Sequence, residues 1–289
     1  PFSFENKLSV SGKILLPLSI KKFSLPKNIR EQIKHISTLS GIDDDKLLHD
    51  FNISLGIFFK WHSYGEKFFE SRPNLKRLYV VGWYSPAIMG LVSAAKTRGI
   101  VTIDLQHGKQ GLYQAMYNGW NQLKINNGYK QMPDYFWTWG EPTKMHILGG
   151  DSRKKHIPFV GGYPWVAYYL KYEASQKIKQ KDKKTILFTM QPAQGENVEP
   201  IPDFILKLLK KENIDFSIIF RRHPNDENGE KYYYRRLAKI PKRFHIFDNC
   251  SDNLYDKLNS VTHHITAYSS CCYEAKIFGV DTLLFGTDA

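Results

Sequence analysis

Phe216-Ser217-Ile218-Ile219-Phe220-Arg221-Arg222-His223-Pro224-Asn225-Asp226 is an apolar run that ends abruptly in charge, followed by a proline. A second stretch repeats the pattern: Thr262-His263-His264-Ile265-Thr266-Ala267-Tyr268-Ser269-Ser270-Cys271-Cys272-Tyr273-Glu274-Ala275. Each reads as a buried strand whose polar end hands over to a helix. In an open α/β sheet the carboxyl ends of the strands are where ligands sit. One end offers Arg221, Arg222 and His223; the other offers paired hydroxyls at a helix start, where unpaired backbone N–H groups favour an anion. Together they point to a phosphate-bearing ligand.

Working outward, the same rhythm fills the second half. Strands are predicted at Thr185–Met190, Phe216–Phe220, Phe244–Phe247, Val261–Thr266 and Thr282–Phe285, and helices at Ile201–Lys211, Lys231–Ala238, Asn253–Leu258 and Ser270–Phe278. Strand and helix alternating in this way make a doubly wound α/β domain. Earlier in the chain, Leu78–Gly82, Ile100–Leu105, Tyr135–Trp139 and Ile157–Val160 read as strands, with helices at Pro86–Thr97 and Pro142–Leu148. That spacing implies parallel neighbours joined by crossovers. The Lys-rich stretch Glu173–Lys184 reads as a connection between domains. The resulting division is residues 1–165, a connection at 166–184, and a second domain at 185–289. The last strand stands uncovered at the end of the sequence, so the native chain is expected to continue.

Composition is that of a folded globular protein: 289 residues, 42% hydrophobic and 24% charged. The net charge of +13 implies an anionic partner, with a nucleotide, a polyanionic glycan, nucleic acid or an anionic membrane face as the classes. No recognisable nucleic-acid-binding motif supports the nucleic-acid class. Cys250, Cys271 and Cys272 lack metal or disulfide spacing, fit a reducing cytoplasm and read as small buried side chains. Asp43-Asp44-Asp45 has the Asp-x-Asp spacing that some transferases use for a metal, but it precedes a helical pattern, where acidic residues suit the first turn; the helix-start reading is favoured.

Several residues carry candidate chemistry. Pro224 ends a ladder because it has no N–H to donate. His223 can donate to a phosphate oxygen and Arg222 can add a charge-assisted fork. Ser269 or Ser270 would cap the following helix whatever the function. Glu274, four residues after Ser270, shares its helical face and is placed to accept from ribose hydroxyls. In the first half, Ile103-Asp104-Leu105-Gln106-His107-Gly108-Lys109-Gln110-Gly111 ends a strand in a glycine-bounded loop. His107 is a candidate phosphate ligand or base, and Asp104, whose side chain can point to either face, ranks with it as one catalytic unit that supplies the base or nucleophile. Glu141 opens a helix at the next strand end and ranks behind them. Gly161-Gly162-Tyr163-Pro164 ends the first domain and reads as a cleft floor or hinge, and Gln191 and Gln194 as secondary candidates near the nucleotide.

A strand ending in His-Pro, followed by a strand ending in Ser-Ser-x-x-Tyr-Glu-Ala-x-x-Phe-Gly, resembles the donor domain of GT-B glycosyltransferases of bacterial surface-polysaccharide synthesis. The resemblance is to the sialyltransferase and polysialyltransferase, Kdo-transferase and polyglycerol-phosphate polymerase group. It extends well over roughly residues 185–289 and loosely over 78–165. It implies two Rossmann-like doubly wound domains facing across a cleft. It implies that His223, Pro224, Ser269 and Ser270 hold the phosphate and sugar of a nucleotide donor, a CMP-sugar being weakly favoured, with Glu274 on the ribose. Gln-His-Gly at Gln106–Gly108 recurs in such enzymes. The expected activity is glycosyl transfer to a capsule or lipopolysaccharide acceptor, free or lipid-linked, by inverting or retaining chemistry, with no cofactor and no metal. The expected location is cytoplasmic, on the inner membrane face. Transfer of glycerol phosphate from a CDP-linked donor and a non-catalytic nucleotide- or glycan-binding module are the alternatives.

Overall fold

Short runs such as Ile186-Leu187-Phe188 and Ile218-Ile219-Phe220 are apolar at consecutive positions, as strands buried on both faces must be. In the computed structural model they are central strands of a parallel sheet. The structure describes residues 24–108, 110, 114, 116–117, 131–149, 156–172, 184–191, 201–211, 215–224, 226, 229–238, 240–248, 250 and 252–286. Lys109, Gly111, Gln194, Asn225 and most of the predicted connection at 166–184 lie outside them.

The chain divides into two units, Pro1–Val160 and Gly161–Ala289. In the first, α1 (Lys27–Ser40) and α2 (Asp44–Glu70) precede a parallel sheet of β1 (Arg77–Val80), β2 (Val101–Leu105), β3 (Tyr135–Thr138) and β4 (Ile157–Val160), in the order β1-β2-β3-β4. α3 (Pro86–Thr97) and α4 (Glu141–Gly149) make crossovers. Asp43 caps α2 by accepting the Lys46 N–H at 2.9 Å, with Asp44 and Asp45 in the first turn. The acidic triplet is therefore a helix start. Beneath the sheet, Asp134 ties the beginnings of β2 and β3. Its carboxylate accepts from the Thr102 N–H and hydroxyl and pairs with Lys96 at 2.9 Å. Burial works against the charge, but Lys96 and Thr102 hold this carboxyl below the usual range.

The second unit begins with α5 (Pro164–Tyr172), a helix on a segment that sequence reasoning assigned partly to the end of the first domain and partly to the connection. It packs on the second unit: Tyr169 is buried, its hydroxyl donates to Asp256 at 2.7 Å, and its ring meets Tyr255 and Phe278. β5 (Lys184–Thr189), α6 (Asp203–Leu209), β6 (Phe216–Arg221), α7 (Gly229–Leu237), a 3-10 turn at Lys242–Phe244, β7 (His245–Asp248), α8 (Leu254–Ser260), β8 (His263–Thr266), α9 (Cys271–Ile277) and β9 (Asp281–Leu284) follow. The sheet order is β7-β6-β5-β8-β9, all parallel. Strand alternation sends Phe188, Ile218, Phe220 and Ile265 to one face, with Ile205 and Leu209 of α6 and Tyr233 and Leu237 of α7. Leu187 and Ile219 go to the other, with Leu258 of α8 and Ala275 of α9. This sheet is thus wound on both faces, and its order reverses between β5 and β8. The described strands of the first sheet run in sequence order without a reversal.

α2 and α3 cross where glycines let their backbones meet. A Cβ on Gly90 would stand 2.4 Å from the Phe58 carbonyl oxygen and 2.9 Å from the His62 nitrogen. Gly90→Ala therefore has to push two helix backbones apart. It is expected to destabilise the first unit by about 1–3 kcal/mol or more in urea unfolding. Gly56→Ala, on α2 with nothing within 4 Å of the added Cβ, is the control. It should be neutral or stabilising by up to about 1 kcal/mol through helix propensity. Equal effects of the two would show that the crossing is not backbone-limited.

Candidate functional site

The strand order reverses between β5 and β8, and the carboxyl ends beside such a reversal are the position where doubly wound sheets bind ligands. Register sets Thr189 of β5 opposite Arg221 of β6 and Thr266 of β8, and Arg221 opposite Asp248 of β7. All four are buried, so a polar layer lies directly beneath the strand ends. It is internally satisfied. Arg221 donates to Asp248 at 2.5 Å and to the Asp252 carbonyl at 2.8 Å. The Thr266 hydroxyl donates to the Thr189 carbonyl at 3.0 Å. His264, fully buried, lies between the hydroxyls of Thr189 (2.9 Å) and Thr282 (3.0 Å).

The predicted donor-side residues sit on this layer. Gln191 follows β5, its Nε2 buried and without a hydrogen-bond partner among the described residues. Arg222 continues β6 through its N–H to the Asp248 carbonyl. Its Nε is likewise buried without a partner among the described residues, whereas Arg221 is committed to the layer below. The Arg222 carbonyl accepts from the Cys250 thiol at 2.5 Å, Cys250 turning at φ 68°. His223 is half-buried and begins the turn that contains Pro224, closed by the Asp226 N–H to the His223 carbonyl at 3.0 Å. Partial burial holds the His223 pKa below its usual value despite the opposing Asp226 carboxylate, so the ring is neutral at pH 7. β6 and β8 flank β5, which puts their ends about 10 Å apart.

At the end of β8 the capping hydroxyl is that of Ser269, which accepts the Cys271 N–H at 3.3 Å. Ser270 is the N-cap residue of α9 by position but makes no side-chain cap bond. Glu274 faces inward, 6% exposed, and accepts from the Tyr163 hydroxyl at 2.5 Å. Burial raises its pKa, while Tyr163, Cys271 and Tyr255 pull it down. All three cysteines are half-buried.

In the first unit the three catalytic candidates occupy different environments. Asp104 is fully buried beneath its loop. Burial raises its pKa to about 7, opposed by the Tyr117 hydroxyl, which donates at 2.9 Å, and by the N–H groups of Gly82 and Trp83. His107 is exposed; its Nε2 lies 3.4 Å from the Tyr84 hydroxyl, and desolvation depresses its pKa. Asp104 and His107 adjoin through ring contacts of Tyr84 with Tyr117 and with His107. Glu141 is exposed and pairs with Lys144 at 3.2 Å, as a first-turn acid does. Gln106 braces the loop: its side chain accepts from the Trp139 N–H at 2.7 Å and donates to the Gly108 carbonyl at 2.9 Å. Sequence reasoning did not single out the tyrosines that touch these groups, Tyr84, Tyr117 and Tyr255, and read Tyr163 only as part of a hinge. In a chain with 17 Tyr none stands out until the fold brings it to a carboxylate or a histidine.

No protein-family model and no curated protein matches the chain. Among solved structures it is similar to a UDP-GlcNAc 2-epimerase from Neisseria meningitidis bound to UDP-GlcNAc. The identity is 19%, the match covers 81% of this chain and 64% of that one, and the TM-score is 0.54. It is also similar to the S. aureus MnaA-UDP co-structure (15%, 79% and 62%, TM-score 0.54). A putative UDP-N-acetylglucosamine 2-epimerase from Listeria monocytogenes gives 14%, 80% and 61%, with a TM-score of 0.53. The chain spans a little under two thirds of the length of these structures. The likeness is one of fold: two Rossmann-like units of parallel α/β structure, of GT-B type.

Two buried histidines make stability depend on pH. His156, packed on Phe136, and His264 both have pKa values lowered to about 4, chiefly by burial. The unfolded chain takes up these protons first, near 6.5. Their contribution is therefore complete above pH 6.5 and is lost as pH falls toward 4. The loss is on the order of 3 kcal/mol per histidine. Denaturant unfolding between pH 7.5 and 4.5 should fall accordingly, and His156→Leu should flatten that slope. An unchanged slope in His156→Leu would remove this residue as a source.

Proposed function

We propose that the protein is a glycosyltransferase that moves a sugar from a nucleotide-sugar donor to a surface-polysaccharide or lipopolysaccharide acceptor. The observation that carries the reading is the set of polar groups at the β5/β8 switch point: Gln191, Arg222, His223 and Ser269 stand at three adjacent strand ends, above a polar layer that already satisfies itself. Gln191 and Arg222 thereby present buried N–H groups with no partner among the described residues, and buried donors without partners are costly unless a ligand accepts them. A diphosphate or phosphate is the ligand class with enough acceptors. Two of the similar folds hold UDP-GlcNAc and UDP, and the sequence resemblance favours a cytidine nucleotide.

In this reading neutral His223 donates one N–H to a phosphate oxygen and Arg222 adds a cationic fork, which together stabilise the nucleotide as it departs. Pro224 fixes the turn that presents them. Ser269 and Ser270 complete the phosphate and sugar contacts, and Glu274 takes the ribose. His107, with depressed pKa and an exposed ring, is the base for the acceptor hydroxyl. Buried Asp104 supports that loop from beneath, and Glu141 ranks behind. No cofactor or metal is called for. The charge of +13 supports docking on an anionic membrane face, in keeping with a lipid-linked acceptor; among the described residues no helix is long and apolar enough to cross a membrane.

Turnover and binding with CMP-, CDP-, UDP-, GDP- and dTDP-linked donors test the reading. His223→Ala should weaken nucleotide affinity by about 1.5–3 kcal/mol. His107→Ala should lose roughly two to four orders of magnitude in turnover at near-normal donor affinity. Turnover of CDP-glycerol alone would assign glycerol-phosphate transfer instead. Binding without turnover of any donor would assign a non-catalytic module, and His223→Ala with native affinity would remove that residue from the site.

A further inference from the structure

Glu274 is an unusual donor-site group because it is nearly sealed. Its carboxylate is 6% exposed on the inner side of α9, one turn beyond Ser269 and Ser270. Three titratable side chains face it: Tyr163 from the loop ahead of α5, Tyr255 from α8 and Cys271 from its own helix. The Tyr163 hydroxyl donates at 2.5 Å, and the Tyr255 hydroxyl interacts with both Glu274 and Tyr163. Arg221, the nearby cation at the end of β6, is engaged by Asp248 and acts on Cys271. The group is thus held by neutral hydroxyls brought from 111 residues away in sequence, as well as from α8. The Tyr163 loop is set by Gly162 at φ 79°, a conformation that favours glycine.

We propose that Tyr163 is a positioning residue of the donor site, its hydroxyl, together with that of Tyr255, holding the Glu274 carboxylate in the orientation that a ribose diol requires. This rests on the nucleotide-sugar reading above. A carboxylate has about four lone-pair sites. Tyr163, Tyr255 and Cys271 engage part of that capacity, and in this proposal the ribose takes what remains. They have a second effect. Burial raises the Glu274 pKa, and Tyr163 leads the three side chains, with Cys271 and Tyr255, that oppose it. Without Tyr163 the carboxyl takes up a proton at higher pH, and a protonated Glu274 is a poorer acceptor for sugar hydroxyls.

The test uses Tyr163→Phe, which keeps the ring, with Glu274→Gln as reference. Carbon-13 NMR of the labelled glutamate carboxyls, assigned through Glu274→Gln, follows the Glu274 titration without any ligand. Calorimetry between pH 6 and 8.5 measures CMP, CDP and UDP against their 2′,3′-dideoxy analogues. In Tyr163→Phe the Glu274 titration should move up, and ribonucleotide affinity should drop, more at pH 6 than at pH 8.5. Affinity for the dideoxy analogues should stay unchanged. An unmoved Glu274 titration, or an equal loss for ribo- and dideoxynucleotides at every pH, overturns the proposal while leaving the donor site standing. Wild-type protein that binds none of the three nucleotides overturns the nucleotide-sugar reading, and the ribose subsite with it.

Discussion

Arg221 and Asp248 meet in the interior of the second unit, where either charge alone would cost several kcal/mol of lost hydration. Their pairing fixes more than a contact. Asp248 also accepts the Cys250 N–H at 2.9 Å, and its carbonyl accepts the Arg222 N–H. Arg221 reaches on to the Asp252 carbonyl, and its own carbonyl accepts from Met190. The pair therefore sets how β5, β6 and β7 end, and from those ends come Gln191, Arg222 and His223. Replacement by apolar side chains of similar volume is often tolerated thermodynamically in such places. What it would forfeit here is the direction in which the chain leaves the sheet.

The strands were legible because burial on both faces writes itself as short continuous apolar runs. β6 and β4 lie where Phe216–Phe220 and Ile157–Val160 place them, and α3 spans Pro86–Thr97 as read, with proline in its first turn. α5 was not legible in the same way. Pro164 after Gly161-Gly162 looks like a hinge, but proline is equally at home at a helix start, and Trp165–Tyr172 continues from it as helix. The side-chain signal that assigns α5 to the second unit, Tyr169 to Asp256, is long-range and leaves no local trace.

The site was legible as positions and much less as roles. Strand ends and their polar residues follow from the pattern. Which of two adjacent residues faces a ligand does not: Arg221 and Arg222 are equivalent in sequence, and only Asp248 across the sheet separates them. Serine capping was expected from either Ser269 or Ser270, and local geometry selects Ser269. Asp104 could not be oriented from alternation, because Thr102, Ile103 and Asp104 are all buried and β2 has no solvent face at its centre.

Both units solve one physical problem in the same way. A carboxylate is buried near a strand end, Asp104 in one and Glu274 in the other, and each accepts a tyrosine hydroxyl, from Tyr117 and Tyr163 respectively. A lysine or arginine in the same place would pin the charge more firmly, but it would also neutralise the carboxylate and compete for its remaining lone pairs. A phenol occupies one lone pair, adds no charge and leaves the rest of the group able to accept. The outcome then depends on how much desolvation the hydroxyl must oppose. Asp104 is sealed and its pKa rises to about 7, which suits a group that supports a loop. Glu274 keeps a narrow exposure and three neighbours that oppose the effect of burial. The same pairing of residue types therefore stands in two degrees of burial, fully sealed at Asp104 and narrowly open at Glu274.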